Sequence, residues 1–238
     1  MLRAVEAVVV YRGCSAINGA PIVAILTGLA SPSRNPKTGP MAQLWILPAN
    51  EAPHLAVKTG GDVSVCGDCP MRPSVAKKGQ ACYVATYQAP RAVWASRRDM
   101  PVDLGLAVDA IRGKALRLGA YGDPAAIPES SGVIQALSAA ASMRTGYTHQ
   151  WRRDYAQWLR PYVMASLDSG TTAEQLTACH ASGWRSFRAE VTDDAYSGEI
   201  VCPATTESEA QCIDCGLCDG WRGNVSDKQP KSIVIAIH

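Results

Sequence analysis

Ala115-Leu116-Arg117-Leu118-Gly119-Ala120-Tyr121 reads as a short strand, and Gly122-Asp123-Pro124 follows as a turn that delivers a carboxylate. The pattern then repeats. Further β-like runs lie at residues 145–149, 162–167, 184–191, 199–202 and 232–237. Helical stretches at 127–143, 151–159 and 171–182 separate the first four runs. The last of these opens with Thr171, has Glu174 three residues on and is followed by Gly183, which predicts a capping box and a glycine stop. Strands alternating with helices predict parallel β/α units. The units are short, so the fold class is α/β with a small or partial β/α barrel; a full eightfold barrel typically takes about 250 residues.

Upstream the pattern differs. Residues 6–11, 21–27 and 41–47 read as strands. The stretch Ser31-Pro32-Ser33-Arg34-Asn35-Pro36-Lys37-Thr38-Gly39-Pro40 joins the second and third as a long hairpin. The rest of the first ninety residues reads as loop. Pro90 is placed to open a helix through 92–98, and 102–113 follows with helical apolar spacing at Leu104, Leu106, Ala107 and Ile111. The organisation is thus a β-rich N-terminal segment, 1–90, and a barrel-like region, 91–238, within one compact unit.

In parallel β/α sheets the site forms in the loops after the carboxyl ends of the strands. That rule brings Asp123, His149, Asp168 and Cys202 to one mouth, with the first three as candidate catalytic residues lining a pocket.

The 238 residues are 47% hydrophobic and 18% charged, which supplies a proper core and excludes low-complexity disorder. No apolar run approaches the roughly 18–20 residues of a membrane span. Glu6 stands where the apolar region of a signal peptide should begin, so a cytoplasmic setting is expected. A net charge of +2 gives no argument for a polyanionic partner. Arg91, Arg97, Arg98, Arg112, Arg117, Arg144, Arg152, Arg153, Arg160, Arg185 and Arg188 crowd the middle of the chain. Interleaved acids make them read as solvated helix faces rather than a nucleic-acid groove.

Nine cysteines are the informative feature. In a reducing compartment, clustered cysteines more often bind metal than form disulfides. Cys202-Pro203 followed by Cys212-x2-Cys215-x2-Cys218 has the outline of a bacterial ferredoxin ligand set for a [4Fe–4S] cluster, with the Cys-Pro upstream of the run. Gly216 and Gly220 provide the small residues such a loop needs. Structural zinc usually takes two separated C-x2-C hairpins, so zinc fits less well and stands as the alternative. Cys66, Cys69 and Cys82 form a second, incomplete set. Its fourth ligand is one of Cys14, His54, His149, Cys179 or an Asp; otherwise the site is a cluster with one open iron, or a three-cysteine, one-histidine zinc site. Cys14 and Cys179 on their own read as buried core thiols.

Asn35-Pro36-Lys37-Thr38-Gly39-Pro40-Met41, Cys66-x2-Cys69-Pro70 with Cys82-Tyr83, Leu118-Gly119-Ala120-Tyr121-Gly122-Asp123-Pro124, Tyr147-Thr148-His149 and the terminal cysteine set occur in that order. This arrangement resembles a group of uncharacterised bacteriophage-encoded cysteine-rich proteins, the phage gene-88-product-like family. The resemblance implies a phage or prophage origin and the cytoplasm of an infected bacterium; it brings no activity with it. A looser similarity in architecture is to radical S-adenosylmethionine enzymes, but their C-x3-C-x2-C loop has no counterpart here.

The expectation is a phage-type iron–sulfur protein with one [4Fe–4S] cluster, or two. It would do redox or cluster-dependent chemistry on a small molecule or nucleotide, with a redox partner. The alternative is a binding module whose iron–sulfur or zinc sites are structural and which engages nucleic acid or a host protein.

Overall fold

The computed structural model describes residues 5–76, 82–206, 210–221 and 231–236. Its centre is a nine-stranded, mostly parallel sheet in a mixed α/β fold. Strands β1 (Ala7–Cys14), β2 (Pro21–Thr27) and β3 (Ala42–Pro48) form an antiparallel meander. The long hairpin at 31–40 joins the last two, as its prolines and glycine predict. Every residue of β3 is buried, because the strand lies inside the sheet with both faces covered.

From β3 onward all pairing is parallel. Strand β4 (Ala115–Tyr121) is followed by β5 (Met143–Thr148), β6 (Met164–Leu167) and β7 (Ser186–Glu190). Strands β8 (Glu199–Val201) and β9 (Ser232–Ala236) complete the sheet in the order β1-β2-β3-β4-β5-β6-β7-β9-β8. Two features follow. The N-terminal segment and the β/α region share one sheet across residue 90. The final strand, β9, is threaded between β7 and β8.

The helices differ from expectation in instructive ways. The region 49–76, read as loop, contains α1 (Pro53–Thr59) and α2 (Val63–Cys66). Both are too short for an apolar period to show, although Pro53 at the first turn and the left-handed Gly60 at the end of α1 are ordinary start and stop devices. Helices α3 (Ala89–Arg97) and α4 (Leu104–Ile111) lie where Pro90 and the apolar spacing put them. The stretch 127–143 is not one helix. Two 3-10 turns, Pro124–Ala126 and Glu129–Ser131, precede the left-handed Gly132, and α5 occupies only Val133–Ala140. Met143 already belongs to β5. The stretch 151–159 is a 3-10 helix, Asp154–Leu159. Helix α6 (Ala173–Ala181) does carry a capping box, shifted by one residue to Thr172 and Gln175.

One large core joins β1–β6 to α4, α5 and α6 through residues such as Ile25, Leu44, Leu116, Ile134 and Leu176. A smaller cluster of Met164, Cys202, Cys218 and Ile233 stands apart from it. Among the described residues no helix is long and apolar enough to cross a membrane.

Candidate functional site

Strands β4, β5 and β6 end in Asp123, His149 and Asp168, and the three carboxyl-end residues do converge. The Asp123 carboxylate accepts from the backbone N–H of His149 at 2.8 Å and from that of Ala125 at 2.9 Å. His149 Nε2 meets Asp168 Oδ1 at 3.0 Å. Burial raises the pKa of Asp123 against these hydrogen bonds. Burial also opposes charge on the His149 ring, but hydrogen bonds to Asp168 and to the Cys69 thiol prevail and hold its pKa at about 10.

That last contact ties the trio to the first cysteine group. Cys66 ends α2, the Asp123 backbone N–H donates to the Val65 carbonyl at 2.6 Å, and the loop Gly67–Pro70 passes beneath the end of β5. Gln150, the residue after His149, reaches the same loop: its Nε2 donates to the Cys66 carbonyl at 3.2 Å, and its side chain packs on Gly67. Arg72 holds the loop from the other side. It binds buried Asp62 through two nitrogens, at 2.7 and 3.1 Å, and donates to the Gly67 carbonyl at 3.1 Å. Arg153 pairs with Asp68 at the rim. Burial, then the neighbouring Cys69, Asp62 and Cys82, push the Cys66 thiol well up; Cys82 is raised too, chiefly by burial.

The second group is assembled elsewhere. Cys202 follows β8, and α7 (Cys212–Cys215) carries the next two cysteines. Cys202 therefore does not share the mouth formed by Asp123, His149 and Asp168. It packs with Cys218 against Met164 and Ile233, with Tyr147 and Phe187 at the edge. The insertion of β9 between β7 and β8 sets β8 one strand further from β6 than a sequential order would. The Tyr147 hydroxyl hydrogen-bonds the Cys218 thiol. Burial lifts Cys218 to about 12 and also raises Cys202 and Cys212, and the thiols of the group raise one another further. Lys37 and Arg117 work in the opposite sense on Cys202 and Cys212.

Backbone bonds hold this loop. The Cys212 and Ile213 N–H groups donate to the Lys37 and Thr38 carbonyls at 2.9 and 3.2 Å, so the turn at 35–40 is a dock for α7. Arg185, 2% exposed, donates to the carbonyls of Asp219, Leu217 and Lys231 at 2.5, 2.7 and 2.8 Å. Arg144 binds Asp219 at 3.0 Å. Gly216 ends α7 in the left-handed region, and Gly220 lies so close to the Arg160–Tyr162 backbone that a Cβ would overlap it. Both glycines thus serve the tight loop, as their spacing suggests.

A groove of about 630 Å³ lies along the sheet, with Tyr83, next to Cys82, in its wall. Trp45, Gln43, Ser33, Tyr83, Arg97 and Arg117 are among its walls. Arg117 Nη2 donates to the Tyr83 hydroxyl at 3.0 Å, and the same guanidinium acts electrostatically on both Cys82 and Cys212.

Among the remaining sequence candidates, Cys179 is fully buried as expected, whereas Cys14 is exposed near the end of β1, where a strand edge leaves it nothing to pack under. Sequence reasoning missed Gln150, Arg72, Tyr147 and Lys37 as supporting residues. Tyr147 and Lys37 sat inside quoted motifs, but neither residue type signals such a role. Of the arginines read as solvated, Arg185 and Arg188 are buried, Arg188 against Glu199 at 2.8 Å. Among the described residues no group of three or more His, Cys, Asp or Glu side chains is close enough as placed to hold a metal ion. No family model, curated protein or solved structure matches the chain.

Proposed function

We propose that the chain is an iron–sulfur protein that carries out redox or cluster-dependent chemistry on a small molecule or nucleotide. Cys202, Cys212, Cys215 and Cys218 would hold a [4Fe–4S] cluster, and Cys66, Cys69 and Cys82 a second centre. In this reading β3–β9 form the wall of a partial β/α barrel, and the cysteine-rich loop after β8 is its metal-binding element. The setting that goes with the phage resemblance is the cytoplasm of an infected bacterium.

One observation carries the proposal: the cysteines of 66–82 and those of 202–218 gather in two separate groups, and within each the thiols act on one another. Burial and mutual repulsion make thiolates costly there, and a bound cation reverses that cost, since coordination deprotonates a thiol outright. The donor chemistry fits. The groups consist of soft sulfur ligands, the second group has Lys37 and Arg117 facing it, and the Tyr147 hydroxyl is placed to donate to a cluster-bound sulfur. When bound, a cluster supplies one-electron chemistry; the chain supplies position and field. Arg117 stands where it feels both groups and lines the groove, and the groove's volume suits a small molecule.

Anaerobic purification followed by iron, sulfide and zinc analysis, with an optical spectrum near roughly 400 nm, tests the proposal. About eight irons with matching sulfide per chain is the result expected of two cubane clusters. Cys66→Ala should then abolish one centre and leave the other intact; equal loss of both would sink the two-site assignment. Zinc without sulfide ends the cluster reading and turns the question to nucleic-acid and host-protein binding, whose affinity for nucleic acid would fall steeply with salt.

A further inference from the structure

Three thiols make an incomplete set, and the surroundings of Cys66, Cys69 and Cys82 narrow the choice of a fourth donor. Cys14 is exposed at the end of β1, and Cys179, on α6, is sealed in the main core. Asp62 is taken up by the two-nitrogen grip of Arg72. Asp123 spends its oxygens on the backbone N–H groups of Ala125 and His149 and on Thr148. His149 remains. It follows the end of β5, one residue before Gln150, whose side chain holds the Cys66 carbonyl at 3.2 Å; its Nε2 faces Asp168 Oδ1 at 3.0 Å, and its ring acts electrostatically on Cys69 and Cys82. The histidine is partly buried, 19% exposed, and its backbone is pinned by Asp123.

This is the arrangement of a metal-ligating histidine before its metal. Such a residue typically gives one ring N–H to a carboxylate, which fixes the tautomer and leaves the other nitrogen's lone pair for the ion. With Nε2 assigned to Asp168, Nδ1 is the nitrogen on offer. The next residue, Gln150, anchors the Cys66 carbonyl, so the end of β5 fixes the histidine and the cysteine loop in one register.

We infer that His149 is the fourth ligand of the first centre, closing a Cys66, Cys69, Cys82, His149 set, with Asp168 as the residue that orients it. The inference rests on the metal-binding reading above and goes further: it removes the open position and makes the first centre a closed one. The set is thiophilic and accepts either an iron–sulfur cluster or zinc. As a ligand the imidazole is neutral, so binding releases a proton from each thiol and from any protonated ring.

The experiment uses the full chain purified anaerobically, with metal and sulfide counted per chain in wild type, His149→Ala, His149→Cys and Asp168→Asn. Expected results are full metal in wild type, loss of the first centre alone in His149→Ala, and its recovery in His149→Cys. Asp168→Asn should keep the centre but release it to a chelator about 10–100-fold more readily. The metal retained at the second centre reports that His149→Ala is folded. If zinc is the metal, X-ray absorption of wild type should find one nitrogen at about 2.0 Å beside three sulfurs at about 2.3 Å. If iron is the metal, ¹⁵N-histidine labelling should give a nitrogen coupling in the pulsed EPR of the reduced protein. His149→Ala with its full metal complement, or no nitrogen in the wild-type spectrum, overturns the inference while leaving the metal-binding reading standing. Wild type without metal at either group overturns both. In that case Cys69 alkylation that depends on His149 would mark the trio as a nucleophile and its base instead.

Discussion

Around Cys66, Cys69 and Cys82 the neighbours are side chains that donate, accept or carry charge: His149, Asp123, Gln150, Asp62 and Arg72. Around Cys202 and Cys218 they are mostly apolar, Met164, Ile233, Phe187 and the ring of Tyr147, with the Tyr147 hydroxyl and Lys37 as the polar contributions, and the loop is tied through its carbonyls by Arg185. The first group sits at strand ends, where a parallel sheet presents loops. The second lies against side chains of β5, β6, β7 and β9, which form a small apolar patch around it. A polar shell can tune a centre and pass protons to it, while an apolar shell isolates one. Under the proposed cluster reading, the difference would place substrate chemistry near the first group and storage or relay of electrons at the second.

That contrast is open to attack at several points. Glu199, 0% exposed in its side chain, meets Arg188 across β9. Glu199→Gln leaves a buried guanidinium short of its counter-charge and should cost about 3–5 kcal/mol in denaturant unfolding. Because β8 delivers Cys202, metal at the second group should go first. Arg185→Lys keeps the charge but cannot span three carbonyls. A loss of about 1.5–3 kcal/mol is expected, with the second centre labile and the first unchanged; equal lability of both would erase the distinction.

Gly220→Ala forces a methyl into the Arg160–Tyr162 backbone, and thermal unfolding should show about 1–3 kcal/mol of destabilisation from overpacking. The next test separates the regions by pH. In metal-free protein the His149 pKa is raised to about 10, so its stabilising contribution is complete below the unfolded value near 6.5. That contribution fades as pH climbs through 10. NMR titration of the ring should follow this curve, and Asp168→Asn should move the midpoint down. Last, Asp68→Asn removes a solvent-screened pair with Arg153 at the rim of the first group, and Tm should stay within error.

Much of the architecture was legible because it rests on local signals. Ala115–Tyr121 and Pro21–Thr27 carry apolar, β-favouring runs bounded by turn residues, and both strands fall at the predicted residues. The convergence of Asp123, His149 and Asp168 followed from the strand-end rule alone. What escaped was set by tertiary choice. Nothing in Ser232–Ala236 distinguishes a strand that adds to an edge from one that inserts between β7 and β8, yet that insertion sets one more strand between Cys202's strand and those that end in the other three residues. Arg185 and Arg188 look like any surface arginine until their partners, three carbonyls and a buried Glu199, are known. Helices α1 and α2 span seven and four residues, too few for a period to declare itself.

The threading of β9 has a consequence for how the chain comes off the ribosome. When β8 emerges, β9, its one partner among the described strands, is still some thirty residues from being made. By the time that neighbour arrives, Cys212, Cys215 and Cys218 have already been synthesised. β8 therefore cannot pair with β9 before all four sulfurs of the second group exist, so translation places that pairing after the last of the four cysteines.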